Sequence, residues 1–369
     1  MSNMWRVYVT TFNCAKKFPF EENEAKTAIL NEIVPQALEH DIYVFGFQEL
    51  ISTWEASFPK MIAPKIQDLV DLTLKFINRH ASGKTFRAVG STSTGAVGLI
   101  AFADEKIGLR KVSYSNLRCG LFNSSLKGSA SLCCTLQGQN KEQETFTFIC
   151  SHLNANEGPE NAELRVSNYA SIMSACATDF RLMPFKTSHI FFFGDLNFRV
   201  NGLQDTVTDF SNIENISKVL TNHEELNKLR KEKLVFDGFD EGQISFSPTY
   251  KYQVSQEKEY DGRRTPSWCD RILFKQYPRD SFKILSYNSV SRTSHLQFTD
   301  HQAVTLDIKV PSMTSGTELK IPTTVPSSQQ IFVGDIADTL IGYVGWALTK
   351  NIHYGIIAAL GLIIFYTLL

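Results

Sequence analysis

The sequence predicts an α/β protein in which two β-sheets pack together and helices cover their outer faces. Short apolar segments typical of strands outnumber the amphipathic segments, and several follow one another with no helix between them. A doubly wound parallel sheet would instead alternate strands with helices. The 369 residues are 43% hydrophobic and 20% charged, a composition that can support a large core. One large domain is therefore expected over residues 1–310.

Hydrophobic periodicity gives the order of the elements along this domain. The predicted strands cover residues 6–12, 42–47, 96–102, 129–136, 146–151, 189–193, 272–274 and 304–308. The predicted helices cover residues 22–38, 66–78, 162–178 and 216–230.

Charge and cysteine content exclude several classes of protein. The net charge of −1 provides no general attraction to nucleic acid, so an anion site must come from local basic residues. The seven cysteines include no C-x-x-C pair, which argues against a zinc ribbon or a redox dithiol. Their irregular spacing is typical of free thiols in a reducing cytosol.

The C-terminal part of the sequence has a different composition. Residues 311–335 are rich in Pro, Ser and Thr and are predicted to be a flexible tether. Residues 336–369 form an apolar tail, and 351–369 contain no Asp, Glu, Lys or Arg. About 19 residues form a helix of roughly 28 Å, enough to cross a bilayer. A buried core helix is the alternative. A span at this end predicts a tail-anchored protein with its large domain in the cytosol, and Tyr343 and Trp346 are candidate interfacial anchors.

Polar side chains recur beside the ends of the predicted strands. They are Asn13, Glu49, His152, Asn154, Asp195, Asn197, Asp270, Asp300 and His301. One such residue is usually a cap or part of a turn, but so many together indicate a site. Oxygen ligands without a Cys/His cluster suit Mg²⁺, and imidazoles beside carboxylates suit proton transfer or stabilisation of an anion. The set therefore favours metal-assisted hydrolysis of a phosphoester.

Other phosphatase chemistries lack their motifs in this sequence. A cysteine phosphatase needs Arg six residues after the nucleophilic Cys, whereas Cys269 is followed at that distance by Lys275. Neither an Asp-x-Asp motif nor a G-x-x-x-x-G-K-[ST] loop is present. The mechanism that remains is direct attack on phosphorus by an activated water molecule.

Several segments resemble the signatures of the inositol polyphosphate 5-phosphatases. These segments are FFFGDLNFR, PSWCDRIL, FDGFDEGQISFSPTYKY, TFN, GFQE, CSHLN and FTDH. The resemblance covers residues 5–310 and implies the four-layer α/β sandwich of DNase I-like enzymes, the endonuclease/exonuclease/phosphatase fold. With its apolar tail, the whole chain resembles tail-anchored fungal members of the endoplasmic reticulum. This resemblance implies Mg²⁺-dependent removal of the 5-phosphate from phosphatidylinositol 4,5-bisphosphate.

The resemblance also implies a metal site and a group that activates water. Glu49 would be the main Mg²⁺ ligand, with Asn13 beside it and Asp300 contributing through a water molecule. Asp195 would position or deprotonate the attacking water, and Asn197 would donate a hydrogen bond to a phosphoryl oxygen.

Further residues receive catalytic roles from the same resemblance. His301 would contact the scissile phosphate and stabilise its developing charge, while Asp270 would orient His301 as a carboxylate does in a triad. His152 would be a second imidazole facing the phosphate. In PSWCDRIL, Cys269 is expected to take no part in the chemistry, and Arg271 is expected to form a structural pair.

Substrate recognition is assigned to four other residues by resemblance. Tyr250 and Lys251 would bind the neighbouring 4-phosphate together with Arg264, and Lys127 would reach the phosphate on the lipid side.

The sequence departs from the pattern of the family at three positions. Asn156 stands where a second His often occurs, Phe198 replaces a usual Tyr, and Leu126 replaces a frequent Asn.

Two alternatives remain open: an Mg²⁺-dependent nuclease of the same superfamily, and an inactive, membrane-anchored phosphoinositide-binding protein. The favoured interpretation has a phosphoinositide lipid as substrate, a membrane anchor, a monomeric catalytic domain and no nucleic-acid partner.

Overall fold

The structure is a computed structural model with full side chains. It describes residues 4–20, 23–35, 38–138, 142–181, 188–203, 209–312, 319–321, 324, 326–352 and 354.

Twelve β-strands form the centre of the described part of the chain. In chain order they are β1 (Met4–Asn13), β2 (Ile42–Gln48), β3 (Phe86–Thr94), β4 (Val97–Asp104), β5 (Gly108–Arg118), β6 (Gly128–Gln137), β7 (Gln143–His152), β8 (Ser188–Asp195), β9 (Phe239–Glu241), β10 (Asp270–Lys275), β11 (Lys283–Ser289) and β12 (Val304–Pro311). They divide into two six-stranded sheets with the orders β11-β12-β1-β2-β4-β3 and β5-β6-β7-β8-β10-β9. Each sheet is antiparallel except for one central parallel pair, β1–β2 in the first sheet and β7–β8 in the second.

Seven α-helices accompany the sheets in the described residues. They are α1 (Asn23–Ile33), α2 (Thr53–Ala56), α3 (Pro59–His80), α4 (Pro159–Phe180), α5 (Ile213–Asn222), α6 (Glu225–Lys231) and α7 (Ser328–Thr349). The helix predicted over 216–230 is two helices. Helix α5 ends at Asn222 with His223 as its C-cap, and Glu224 caps α6 by accepting hydrogen bonds from the backbone N–H groups of Leu226 and Asn227.

Three layers of buried apolar side chains separate four layers of secondary structure. Strand β1 illustrates the arrangement, because its residues alternate between the two faces of the sheet. Val7 and Val9 lie between the two sheets, whereas Tyr8 and Phe12 pack towards α1 and α3. On the far side, α4 and α6 cover the second sheet. The predicted four-layer α/β sandwich is therefore confirmed.

The segment after β12 differs from the predicted tether at 311–335. Leu319 is buried in the core layer beneath α4, and α7 begins at Ser328. Ser327 and Gln330 form a capping box at this point, which explains why the helix begins inside a segment rich in polar residues.

Helix α7 is the one described helix long and apolar enough to cross a membrane. Length and composition alone are weak evidence for a span, because a core helix of a soluble protein can satisfy the same criteria. The span predicted at 351–369 lies almost wholly outside the described residues.

Candidate active site

The strand pattern brings the polar residues to one edge of the two sheets. The parallel strands β1 and β2 end at Asn13 and Gln48, which are partners in register, and Glu49 follows directly. In the second sheet, the parallel strands β7 and β8 end at His152 and Asp195, which are also partners. Carboxyl ends of parallel strands meet at one edge, so these side chains converge.

Antiparallel strands bring two further residues to this edge. Asp270, the first residue of β10, lies opposite Asp195. His301 precedes β12, which begins opposite Thr11 near the end of β1.

A glycine allows the close approach of β7 and β8. Gly194 has a φ of +143°, and a Cβ at this position would lie 1.9 Å from the backbone oxygen of Ser151. Only glycine fits there, and the next residues along the two strands are Asp195 and His152.

Asp195 is the centre of the candidate site. One of its carboxylate oxygens, Oδ2, accepts a hydrogen bond from Asn13 Nδ2 at 2.9 Å and lies 3.2 Å from His152 Nε2. His301 Nε2 approaches the same oxygen at 3.8 Å, while the other oxygen accepts from the backbone N–H of Asn197 at 3.2 Å. Burial opposes ionisation, but the two imidazoles outweigh it and hold the pKa of Asp195 well below its usual range. This carboxylate is therefore ionised at neutral pH.

His301 and Asp270 form a buried pair beside Asp195. The Nδ1 atom of His301 lies 2.9 Å from Asp270 Oδ2, which also accepts a hydrogen bond from Thr249 Oγ1 at 2.7 Å. Burial alone would lower the pKa of His301, but Asp270 and Asp195 raise it to about 9. Burial raises the pKa of Asp270 to about 6 against the opposing effect of His301. Between these values the pair is an imidazolium facing a carboxylate.

His152 and Lys127 form a second pair on the other side of Asp195. The Nζ atom of Lys127 contacts both ring nitrogens of His152. Burial lowers the pKa of each group, and the ammonium lowers that of His152 further. His152 is consequently less basic than His301, although both imidazoles lie beside the same carboxylate.

The oxygen donors at this edge fit a hard divalent cation. Glu49 has a left-handed backbone with φ +46°, and its carboxylate is 27% exposed, with Lys16 Nζ at 4.0 Å. Its negative charge raises the pKa of both Lys127 and His152, so it lies near these two residues at the same edge of the sheets. Asn13 is the last residue of β1 and donates a hydrogen bond to Asp195. Carboxylate and amide oxygens of this kind are ligands that Mg²⁺ prefers.

A second group of possible ligands differs from the predicted metal site. Ligand atoms of Asp195, Asp270 and His301 lie within 4.8 Å of one another. The hydrogen bond between His301 and Asp270 gives this group a use in proton chemistry. Asp300, the third predicted ligand, has Oδ2 3.8 Å from Lys251 Nζ.

The residues predicted to recognise phosphate lie at two places. The Tyr250 ring is 4.5 Å from the His301 ring, so Tyr250 adjoins the pair of His301 and Asp270. Lys251 Nζ lies between Asp300 and Asp261, at 3.8 and 3.7 Å. These two carboxylates hold the ammonium beside the site.

Arg264 contacts Asn156, one of the three positions at which the sequence departs from the pattern that it resembles. Its Nη2 donates a hydrogen bond to Asn156 Oδ1 at 3.3 Å, and its Nη1 lies 3.9 Å from Glu157. Asn156 thus has Arg264 as a hydrogen-bond partner.

Sequence reasoning missed Arg199 and Thr249. Arg199 is 3% exposed, donates from Nε to the backbone oxygen of Asn197 at 3.0 Å and contacts the Asn197 side chain through Nη2. Its guanidinium lies 4.7 Å from the centre of the Tyr250 ring. An arginine two residues after Asn197 in an apolar segment was the available signal. Thr249 offered none, because its role depends on contact with Asp270.

The segment WCDRIL has distinct roles for its polar residues. Cys269 is fully buried, and burial raises the pKa of its thiol well above the usual value. Arg271 is equally buried and pairs with Glu241 at 2.6 Å and Glu224 at 3.1 Å. The predicted structural pairing of Arg271 is present, and a buried, protonated thiol is a poor nucleophile.

Residues 10–307 match the family model described as Endonuclease/Exonuclease/phosphatase family 2. The match covers most of the chain, so the protein belongs to the endonuclease/exonuclease/phosphatase family.

Relatives of the chain within that family include phosphoinositide 5-phosphatases. The chain is 28% identical over 312 residues to phosphatidylinositol 3,4,5-trisphosphate 5-phosphatase 1 of Homo sapiens, covering 80% of this chain and 24% of that protein. It is 30% identical over 297 residues to phosphatidylinositol 3,4,5-trisphosphate 5-phosphatase 2 of Mus musculus, covering 76% and 22%. The chain thus spans about a quarter of the length of these relatives.

Solved structures support the same fold. The inositol polyphosphate 5-phosphatase domain of SPsynaptojanin, in complex with inositol (1,4)-bisphosphate and a calcium ion, has a TM-score of 0.63 and 21% identity, covering 96% of this chain and 94% of that one. Cimex nitrophorin, as a ferrous NO complex, has a TM-score of 0.55 and 22% identity, covering 84% and 99%. Because this fold also occurs in a nitrophorin, the activity must be argued from the site.

Proposed function

We propose that this protein is a phosphoinositide 5-phosphatase that converts phosphatidylinositol 4,5-bisphosphate to phosphatidylinositol 4-phosphate. The observation that carries the proposal is the convergence of Asp195, Asp270 and His301 at one sheet edge, with Tyr250 and Lys251 beside them. The relatives named above are 5-phosphatases of a phosphoinositide, which supports a substrate of this class.

Asp195 positions the attacking water and accepts a proton from it. Its low pKa makes it a weak base, so its main contribution is orientation of the water through a fixed, ionised oxygen. The water oxygen forms a bond to phosphorus as the bond from phosphorus to the inositol 5-oxygen breaks. The inositol oxygen keeps the electron pair and takes up a proton from solvent, and Asp195 returns to solvent the proton that it accepted from the attacking water.

His301 stabilises the negative charge that develops on the phosphoryl group. Its raised pKa keeps the ring protonated at neutral pH, and Asp270 fixes the ring through Nδ1, leaving Nε2 directed towards Asp195 and the substrate. A preorganised cation in a buried site stabilises a transition state more strongly than one in water. Asn197, held by Arg199, adds a neutral hydrogen-bond donor.

Mg²⁺ is the proposed cofactor, held by Glu49 and Asn13, with Asp300 as an outer ligand through water. When bound, it would supply positive charge to the phosphoryl oxygens. The solved 5-phosphatase domain that contains a calcium ion supports a divalent cation in this fold.

Lys251, Tyr250 and Arg264 select the substrate by binding the 4-phosphate. Lys251 is held by two carboxylates, and a phosphate can replace these partners without desolvating a free ammonium. Lys127 contacts the phosphate on the lipid side, where its place beside His152 brings it near the reacting centre.

The C-terminal segment anchors the protein in the membrane of the endoplasmic reticulum, with the monomeric catalytic domain in the cytosol. A tethered enzyme meets its lipid substrate at a high effective concentration. This proposal rests on the apolar residues 351–369 and on the resemblance to tail-anchored members of the family.

Phosphate release from a panel of phosphoinositides, with and without Mg²⁺, tests the proposed function. We expect release from phosphatidylinositol 4,5-bisphosphate and its loss in EDTA. Activity that survives EDTA would contradict the metal assignment. Nicking of duplex DNA without phosphate release would identify a nuclease, and lipid binding without any turnover would identify an inactive relative.

A further inference from the structure

In helix α7 the small residues face the domain and the large apolar side chains face outwards. This is the reverse of a normal surface helix in a soluble protein. The residues buried against the catalytic domain are Gly334, Asp338 and Gly342, spaced four apart on one face. A normal surface helix buries an apolar stripe and exposes its polar residues. In α7 the residues that contact the domain are small or polar, so the large apolar side chains point away from the domain.

A buried aspartate fixes the orientation of α7. Asp338 Oδ1 accepts hydrogen bonds from the backbone N–H of Ser125 at 2.7 Å and from Ser125 Oγ at 2.9 Å. Asp338 Oδ2 lies 3.1 Å from Arg118 Nη1, which also pairs with Asp335 at 2.7 Å. Rotation of the helix about its axis would break all of these contacts, and the charge of Asp338 would lose its partners.

Close backbone contacts extend this docking along the helix. A Cβ on Gly334 would lie 2.3 Å from the backbone oxygen of Asn123, and one on Gly345 would lie 2.5 Å from Trp54 Cβ. The rings of Phe58 and Tyr343 meet edge to face, with centroids 5.4 Å apart. The helix therefore lies directly on the domain.

The docking contacts place α7 beside the candidate active site. Trp54 follows Glu49 by five residues, and Ser125 precedes Lys127 by two. Both Glu49 and Lys127 belong to the catalytic edge of the sheets. The residues on which α7 docks are thus close neighbours in the chain of two residues at this edge.

The outer face of α7 carries large apolar side chains along its whole length. They include Phe332 (64% exposed), Ile336 (46%), Leu340 (60%), Tyr343 (60%), Val344 (57%) and Leu348 (54%). The loop that docks α7 adds Leu121 (69%) and Phe122 (66%). A contiguous apolar surface of this kind indicates a contact with a membrane or another molecule.

We propose that α7 lies along the surface of a lipid bilayer while docked on the catalytic domain, and that its apolar outer face holds the active site against the membrane. The continuation of the chain identifies lipid as the occupant, because residues 351–369 contain no Asp, Glu, Lys or Arg and follow α7 directly after Lys350. A segment that enters the bilayer there brings the end of α7 to the membrane surface.

A transmembrane orientation of α7 is disfavoured by the same contacts. Crossing the bilayer would remove Asp335 and Asp338 from Arg118 and Ser125 and place two carboxylates in hydrocarbon. A helix that lies in the interface keeps these contacts and still buries its apolar face. The inference rests on the membrane attachment in the proposed function but not on catalytic activity.

Depth measurements on the full-length chain in liposomes test this arrangement. Cys119 is the one partly exposed cysteine among the seven described, so Cys119→Ser provides the background. Phe332→Cys, Leu340→Cys and Val344→Cys each receive an environment-sensitive fluorophore, with Leu234→Cys, 53% exposed after α6, as the control. Lipids that carry bromine at a shallow or at a deep position in the bilayer are then used to quench the fluorophores.

The proposal predicts that all three labels on α7 are quenched by shallow bromines to a similar extent and that the control label is not quenched. A helix that crosses the bilayer would separate positions 332 and 344 in depth by about 18 Å, at 1.5 Å per residue. Such a gradient would overturn the proposal. If the labels are not quenched and instead contact the labels of a second chain, α7 forms a protein interface and the proposal is wrong.

An activity measurement provides an independent test. The double variant Leu340→Glu, Val344→Glu should lower turnover of vesicle-borne substrate about tenfold, because charge on the apolar face opposes interfacial binding. Turnover of soluble inositol 1,4,5-trisphosphate should stay within about twofold, since neither residue belongs to the catalytic site. An equal loss on both substrates would contradict the proposal. If no variant or parent turns over either substrate, the proposed function fails while the depth measurement still decides the inference.

Discussion

Replacing Asp270 with asparagine should make activity sensitive to pH in the neutral range. The Asp270→Asn variant keeps the shape of the side chain but removes the charge that contributes most to raising the pKa of His301 to about 9. Without that charge, the pKa of His301 should fall to about its ordinary value of 6.5, because burial disfavours the imidazolium and opposes the remaining effect of Asp195. A change of about 2.5 pKa units corresponds to about 3.4 kcal/mol.

Activity should fall as the pH rises, because the protonated form of His301 is the active form. In the parent protein, His301 is charged below its pKa, so activity should decline only as the pH rises through about 9. In the variant, the same decline should occur near or below about pH 6.5. At about pH 7.5, the charged fraction of His301 should be about tenfold lower than in the parent, and kcat/KM should fall by at least that factor.

Phosphate release from soluble inositol 1,4,5-trisphosphate, measured from about pH 6 to 10, is the appropriate assay because it does not depend on the membrane. Thr249→Val is a matched control, since it removes a hydrogen bond to Asp270 but leaves the carboxylate in place. The control should shift the alkaline limb much less. An Asp270→Asn variant whose activity still declines near pH 9 would refute the role given to the pair.

The remaining predictions concern catalysis, recognition, positioning and stability. Asp195→Asn should lower kcat by about 10²–10⁴-fold with an unchanged unfolding transition, and near-parental kcat would exclude Asp195 from the reaction. Lys251→Ala should raise KM more for phosphatidylinositol 4,5-bisphosphate than for a substrate without the 4-phosphate; equal effects would remove the 4-phosphate assignment. Arg199→Lys should lower kcat without loss of fold, because one ammonium cannot replace both contacts to Asn197; unchanged kcat would argue against positioning. Gly46→Ala should destabilise the domain by about 1–3 kcal/mol in urea, because the new Cβ would lie 2.4 Å from Phe193 between the sheets; unchanged stability would show that the sheets can separate there.

The inner strands of both sheets could be predicted from sequence, whereas their edges could not. Strands such as β2 and β8 are buried on both faces and appear as continuous apolar runs. The four strands that the prediction missed, β3, β5, β9 and β11, are the outermost strands of the two sheets. Strand β5, with the sequence GLRKVSYSNLR, is only partly buried and carries charge, as edge strands that avoid aggregation often do.

In the candidate site, residues that belong to local motifs could be predicted from sequence, whereas residues that act through tertiary contacts were harder to predict. Asp195, Asp270 and His301 could be selected from sequence because each stands beside an apolar strand in a recognisable motif. Thr249 could not, since its role depends on a contact made only after the strands pair, whereas the place of Arg199 two residues after Asn197 was a signal that the prediction did not use. The docking of α7 was equally hidden, because an apolar segment with two aspartates does not reveal that Arg118 and Ser125 lie opposite them.

The most direct test of the proposed function is the position of the phosphate that the protein removes. Full-length protein is incubated with vesicles that contain phosphatidylinositol 4,5-bisphosphate and Mg²⁺, and the deacylated products are separated by chromatography. We predict phosphatidylinositol 4-phosphate and inorganic phosphate from the parent protein and no product from Asp195→Asn. Formation of phosphatidylinositol 5-phosphate, or the same product from both proteins, would contradict the proposal.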